Sequence, residues 1–139
     1  MNVRPFTECD QLAVISLWKR CGLLRPWNDP ERDIQRKLHV QPELFLVADE
    51  AEVIIGSAMA GYDGHRGAVY YLAVEPDRQS KGLGRMLMDE VERLLIQMGC
   101  SKLNILIRSS NLKVREFYGK LGYKTDDVAC MGKRLIADM

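Results

Sequence analysis

A Gly-rich turn between an apolar run and an amphipathic segment constrains this chain most. Residues 69–74, VYYLAV, have the composition of a strand, and apolar residues recur at helical spacing from Leu83 to Met98. Between them lies QSKGLG at 79–84. Gly82 and Gly84 lack Cβ, so a ligand can approach the free N–H groups that begin a helix. The pattern predicts a strand, a phosphate-binding turn and a helix.

The charges around the turn agree with an anionic ligand. Arg78, Lys81 and Arg85 lie within eight residues, in a chain whose formal net charge is only +1. A phosphate-rich ligand therefore fits better than a neutral one.

Two common phosphate-binding motifs do not fit the turn. A Walker A loop requires Lys and Ser or Thr after the last Gly, but Gly84 is followed by Arg85 and Met86. A dinucleotide-binding turn requires a third small residue, and Leu87 stands there. The six residues alone are also compatible with an ordinary surface turn.

Gln-x-x-Gly-x-Gly after a strand and at the start of a helix resembles motif A of the GNAT superfamily of acetyl-CoA-dependent N-acyltransferases. A second segment, NLKVREFYGKLGY at 111–123, is similar to the family's motif B. The two motifs occur in the family's order and spacing. The resemblance covers nearly the whole chain, and bacterial ribosomal-protein-alanine acetyltransferases are a close-looking branch.

The expected fold is α/β (α+β), a single GNAT-like domain over residues 1–139. It has a mostly antiparallel, mixed sheet of six to seven strands, two splayed parallel central strands, and helices on both faces. Strands are predicted at 2–6, 44–48, 53–62, 68–74, 102–107, 123–125 and 128–135. Helices are predicted after Thr7, after Asp29 to about His39, from the Gly-rich turn to Gly99, and from Asn111 to Gly122.

The composition argues against several classes of binding partner. The sequence shows no basic face with interleaved aromatic residues, which argues against nucleic acid, and no apolar run long enough to cross a membrane. The four cysteines and two histidines show no metal-ligand spacing, so we expect no metal. We expect a cytoplasmic protein.

The resemblance implies how acetyl-CoA binds. The main chain of Leu72, Ala73 and Val74 would pair with pantetheine as an added strand does. Backbone N–H groups of the turn would hold the diphosphate. That group comprises Gln79, Ser80, Lys81, Gly82, Leu83, Gly84 and Arg85. Asn111 would cap its helix and also contact the cofactor.

The resemblance assigns Tyr118 as the acid that protonates the departing CoA sulfur. Reference pKa values near 10 for Tyr and about 8.5 for a thiol make that transfer uphill by roughly 2 kcal/mol. The phenol must therefore be acidified locally, or protonation must be concerted with bond breaking. Taken in isolation, Tyr118 could equally be a core aromatic beside Phe117.

The base and the acceptor are less defined. Leu106 stands where the ribosomal-protein enzymes carry a Glu, so we expect deprotonation through water, helped by Tyr70, Tyr71 or His65. The acceptor site should be built by the loop between the first two helices and the turn before the central strand. Its candidates are Trp27, Asn28, His65 and Arg66. Trp27 could instead be a plug over the core.

Two functions follow from different classes. The first is an N-acetyltransferase that transfers acetyl directly in a ternary complex to a primary amine, either a protein N-terminus or lysine or a small molecule. The second is a non-catalytic acyl-CoA sensor. A homodimer is compatible with either function.

Overall fold

The computed structural model describes residues 1–138, which form two compact units. The first contains residues 1–105 with Asp138, and the second contains residues 106–137. The strands of the first unit are β1 (Asn2–Pro5), β2 (Phe45–Glu50), β3 (Val53–Tyr62), β4 (Gly67–Val74) and β5 (Leu103–Asn104). Its helices are α1 (Gln11–Arg20), α2 (Pro30–Lys37) and α3 (Leu83–Gln97). The helix of the second unit is α4 (Leu112–Lys120).

The five strands form one sheet in the order β1-β2-β3-β4-β5. The first four pair antiparallel, and β5 runs parallel to β4. This confirms the α/β class, the antiparallel meander and the parallel return strand. Between residues 1 and 138 the sheet has five strands instead of six or seven.

Local sequence chemistry sets the starts of the first two helices. The N–H of Thr7 donates to Asp10 Oδ2 at 2.8 Å ahead of α1, as the capping pattern predicts. Asp29 Oδ1 accepts from the N–H groups of Glu31 and Arg32, at 3.0 and 3.3 Å, and Pro30 occupies the first turn of α2.

The helices of the first unit cover both faces of the sheet. Trp18 on α1 donates from Nε1 to Ser57 Oγ at 2.9 Å. Leu87 on α3 packs against Gly56, where an added Cβ would lie 3.0 Å from Leu87 Cδ1. Since consecutive strand residues face opposite sides, α1 and α3 lie on opposite faces, as predicted.

The core on the α1 face is aromatic and closely stacked. The rings of Phe6 and Phe45 lie 4.4 Å apart, and Trp18 stacks on Tyr71 at 3.8 Å. These contacts fix α1 over β3 and β4 and hold one side of the candidate site. The core residues of this cluster are Phe6, Val14, Leu17, Trp18, Ile34, Phe45, Val47, Ile54, Met59 and Ala73.

The second unit corrects the prediction for the end of the chain. Asn111 caps α4, with Oδ1 accepting from the N–H of Val114 at 3.2 Å, as expected. The predicted strands 123–125 and 128–135 do not form. The apolar side chains of Val128, Met131 and Leu135 are exposed. Without a neighbouring strand to cover such side chains, an apolar pattern alone does not make a strand.

A search of the described residues for membrane-spanning helices finds none with sufficient length and apolar character.

Candidate active site

The parallel strands β4 and β5 pair over only two residues. Gly67 lies opposite Leu103 and Ala68 opposite Asn104. Beyond them, residues 69–74 of β4 have no strand partner on that side within residues 1–138. The predicted splay is therefore present as an open strand edge, which can accept an extended ligand by backbone pairing.

A β-bulge at Tyr71 accompanies this opening. Ser57 pairs with Ala73 and Met59 with Tyr70, so β4 has one more residue than β3 in this interval. Tyr71 has a φ of 53°, in the left-handed region. For an aromatic residue such a conformation costs about 1–3 kcal/mol and persists where its surroundings hold it.

The side chain of Tyr71 is committed to structure. Its hydroxyl donates to Asp33 Oδ2 at 2.6 Å, and its ring stacks on Trp18. Burial, together with the Asp33 carboxylate, raises the pKa of Tyr71. Because its hydroxyl proton is engaged by Asp33, the Tyr71 side chain has a structural role, and its help in deprotonating the acceptor stays a prediction.

One hydrogen bond shows which edge of the sheet each peptide group faces at the end of β4. The N–H of Glu75 donates to Ile55 O on β3 at 2.8 Å. Because peptide groups alternate along a strand, those of Val74 and Leu72 point to the open edge. Ala73 pairs with Ser57 on β3, so its peptide groups are not free for a ligand. This corrects the prediction for Ala73.

The carbonyl of Val74 is already satisfied. It accepts from Gln79 Nε2 at 3.1 Å and from the Cys21 thiol at 3.2 Å. The Gln79 side chain therefore ties the turn to the strand end. Its contact with the main chain also fixes where the Gly-rich turn begins.

The start of α3 has free backbone donors. Gly82 is the N-cap with a φ of 87°, and no side chain caps the helix. Met86 makes the first bond within the helix, to Gly82 O at 3.0 Å, so the N–H groups of residues 83–85 precede the helical ladder. No atom lies within 4 Å of where a Cβ on Gly82 would stand. This is an open, electropositive helix end that suits a phosphate.

The charges near this end are fewer than the sequence suggests. Arg78 Nη1 pairs with Glu50 on β2 at 2.8 Å, which lowers the pKa of Glu50. Lys81 and Arg85 are exposed, and neither makes an ion pair with any residue from 1 to 138. Lys81 and Arg85 are thus the side chains free to attract an anion. Ser80, beside them, is exposed with a φ of 65°.

Tyr118 lies in the second unit, on α4. It is buried, and its ring packs edge to face against Phe117 at 5.0 Å and Tyr123 at 5.6 Å. Burial raises the pKa of Tyr118. The phenol is therefore protonated across the working range, and no local acidification is present.

The acceptor candidates before α2 lie in a turn. The N–H of Asn28 donates to Arg25 O at 3.1 Å, and the Trp27 side chain is 40% exposed. Most of the Trp27 surface is still covered, so its contact with the acceptor and the alternative of a plug over the core both stay predictions. Tyr70 is also half-exposed, on β4.

His65 and Arg66 are not brought to the open strand end. Both lie in the β3–β4 turn, where Asp63 Oδ1 accepts from each N–H at 2.8 Å. Six residues separate His65 from Tyr71, about 20 Å of extended chain. The turn lies at the other end of β4 from Val74, and a role for His65 and Arg66 at the acceptor site stays a prediction.

Two side chains beside the bulge were not among the predicted site residues. Asp33 on α2 receives the Tyr71 hydroxyl, and the Cys21 thiol reaches Val74 O. Burial, together with Glu75, raises the pKa of Cys21, so its thiol stays protonated and is a poor nucleophile. The helical spacing of Cys21 with Trp18 indicated only that both face the core.

Comparisons with known proteins agree with this geometry. Residues 7–123 match the model of the acetyltransferase (GNAT) family. A protein of Yersinia enterocolitica named as an acetyltransferase is 53% identical over 138 residues, which covers 99% of this chain and 98% of that protein.

Solved structures with the same fold have different acceptors in their names. A predicted acetyltransferase of Clostridium acetobutylicum, solved with acetyl-CoA, has a TM-score of 0.77 at 18% identity over 95% of each chain. An aminoglycoside 6'-N-acetyltransferase of Acinetobacter haemolyticus has a TM-score of 0.72 at 20% identity, over 98% of this chain and 100% of that one. The ribosomal-protein-S18-alanine N-acetyltransferase of Escherichia coli has a TM-score of 0.71 at 21% identity, over 87% and 76%.

Proposed function

Because the chain belongs to the GNAT acetyltransferase family, we propose that it transfers the acetyl group of acetyl-CoA directly to a primary amine. The observation that carries the proposal is the placement of two binding features at one end of β4. The open edge at Leu72 and Val74 leads, through the Gln79 contact, into the uncapped start of α3. A ligand with an extended arm and a diphosphate fits both.

The co-substrate has a place for each of its parts. Backbone N–H groups at Gly82, Leu83, Gly84 and Arg85 hold the diphosphate, with Lys81 and Arg85 supplying charge. The peptide groups of Leu72 pair with pantetheine, and the N–H of Val74 points to the acyl end. The relative from Clostridium acetobutylicum, whose fold this chain shares, was solved with acetyl-CoA, which supports this choice of ligand.

The chemistry is a direct attack. The amine nitrogen attacks the thioester carbonyl carbon, and the oxyanion that forms is stabilised by a backbone N–H at the open edge, such as that of Val74. The C–S bond then breaks as the sulfur takes the Tyr118 proton, and the proton that the amine loses returns through water to the Tyr118 oxygen. Since burial raises the Tyr118 pKa, protonation is concerted with C–S cleavage. The protonated Cys21 thiol disfavours an acyl-enzyme route.

The acceptor is an amine delivered from the α1–α2 side of the open edge. Trp27 and Asn28, in the turn before α2, and Tyr70, on β4, are exposed or partly exposed and are the candidates for contacting it. Relatives of the same fold are named for an aminoglycoside and for the alanine of a ribosomal protein. Both a small amine and a protein amine are therefore within the reach of this architecture.

The test is CoA release from acetyl-CoA with a panel of amines: an alanine-terminated peptide, a lysine peptide, a polyamine and an aminoglycoside. We expect at least one amine to raise CoA release above the hydrolysis background and to be recovered as its acetylated product by mass spectrometry. Tight binding of acetyl-CoA with release at background for every amine would instead indicate a binding domain. Absence of binding would refute both.

A further inference from the structure

The strained residue Tyr71 is held by side chains from three other elements. We propose that Trp18, Ser57 and Asp33 are positioning residues that hold the β4 bulge and thereby aim the Leu72–Val74 edge at the acyl end of acetyl-CoA. This inference rests on the proposed function. None of the three side chains is required to touch the substrate.

The first set of contacts that stabilises the bulge is a chain of two hydrogen bonds with a fixed donor direction. Trp18 Nε1 can only donate, and it donates to Ser57 Oγ at 2.9 Å. The Ser57 hydroxyl proton is therefore directed to Tyr71 O, at 2.8 Å. Ser57 is fully buried, so no solvent competes for these bonds. The Ser57 hydroxyl replaces the ladder partner that the bulge denies to the Tyr71 carbonyl.

The second set of contacts stabilises the Tyr71 side chain by ring stacking and a hydrogen bond. Its ring lies parallel to the Trp18 indole, at 3.8 Å between centroids and 11° between planes. Its hydroxyl reaches Asp33 Oδ2 at 2.6 Å. Asp33 is itself flanked by Arg36, which also binds Asp138 at 2.7 Å. Backbone carbonyl, ring and hydroxyl of one residue are thus fixed from β3, α1 and α2.

The consequence of releasing the bulge follows from strand geometry. If the extra residue is absorbed, the pairing of residues 72–74 with β3 shifts by one. Such a shift turns every peptide group to the other edge, so the Val74 N–H would face β3. The Gln79 contact with Val74 O would be lost, but the uncapped N–H groups belong to α3 itself, so the diphosphate would still bind. Loss of the contacts that stabilise the bulge should therefore disturb the positioning of the acyl end of the ligand and leave diphosphate binding intact.

The test compares Ser57→Ala and Tyr71→Phe with two matched controls. Val14→Ala removes methyl groups from the same core, at a fully buried position on α1 whose side chain makes none of the bulge hydrogen bonds. Tyr62→Phe removes a phenol oxygen at the far end of β3. Ser57→Ala should lower kcat at least 10-fold and raise the KM for acetyl-CoA. Its Kd for adenosine 3′-phosphate 5′-diphosphate, the part of CoA without pantetheine, should change less than twofold.

A second readout needs no catalysis. In the protein alone, amide hydrogen exchange of residues 70–75 should be at least 10-fold faster in Ser57→Ala than in the wild type or Val14→Ala. Tyr71→Phe should give the same pattern, and it carries the test if Ser57→Ala does not fold. Kinetics and exchange equal to those of the control variants would overturn the inference. If the wild type transfers acetyl to no amine, the proposed function fails. The exchange data alone then show whether these side chains stabilise the β4 bulge.

Discussion

Substitution of Gly82 by Ala should separate folding strain from ligand binding at the start of α3. Gly82 has a φ of 87°, and its added Cβ would meet no protein atom within 4 Å. The methyl group therefore causes only backbone strain, about 1–2 kcal/mol for a non-glycine residue in this region. With an unfolding entropy of about 2.1 cal/mol/K per residue, a chain of this length should lose about 3–7 °C in Tm.

Gly99 provides a matched control at the other end of the same helix. Its φ is also 87°, and its Cβ would likewise meet nothing within 4 Å. Gly99→Ala should therefore lower Tm by a similar amount. Only the methyl group at Gly82 projects beside the free amides. If it keeps the diphosphate from two of them, about 3 kcal/mol is lost, which is roughly 100-fold in Kd.

The assay is titration calorimetry with acetyl-CoA at constant ionic strength, together with thermal melts of both variants. We expect similar Tm losses, with affinity reduced in Gly82→Ala alone. Equal Kd values for wild type, Gly82→Ala and Gly99→Ala would show that the diphosphate binds elsewhere. Weakened binding in Gly99→Ala as well would mean that helix strain, not occupation of the amides, controls affinity.

Two further predictions concern proton chemistry. Tyr118→Phe should lower kcat by about 100-fold and change the Kd for acetyl-CoA by less than twofold. An unchanged rate in the variant would remove Tyr118 from the acid role. Because burial raises the Tyr118 pKa, the wild-type kcat should show no loss from phenol ionisation up to pH 10. Asp10→Asn should lower stability by about 1–2 kcal/mol at pH 7, because the Arg4 hydrogen bonds hold the Asp10 pKa below its ordinary value. That contribution is present above the ordinary Asp pKa of about 4 and is lost as the pH falls through the lowered folded pKa of Asp10, so the difference between the urea melts of the two proteins should shrink as the solution becomes more acidic. A constant difference at all pH values would contradict the assignment.

Local chemistry made the first half of the fold predictable. Asp29 before Pro30 specifies a helix start without any tertiary partner, and β3 has the predicted bounds, Val53–Tyr62. The motif around Gly82 likewise indicated an uncapped helix end, because glycine there has a direct backbone meaning.

The bulge could not be predicted in the same way. Val-Tyr-Tyr-Leu favours a regular strand, and the left-handed Tyr71 depends on Trp18, Ser57 and Asp33, which are remote in sequence. Proximity of His65 to β4 in the sequence likewise does not say which end of the strand carries the site. The closing strands depended on neighbours that an apolar pattern cannot supply.

Gly56 has a further consequence for ligand recognition. Its missing side chain leaves α3 seated directly on β3 through Leu87, with no spacer between helix and sheet. A larger residue at this point would wedge the helix outward and lift its first turn relative to the strand end. The absence of a Cβ at Gly56 therefore helps to set the distance between the open edge of β4 and the first turn of α3. Gly56 does this from β3, a strand that need not touch the ligand.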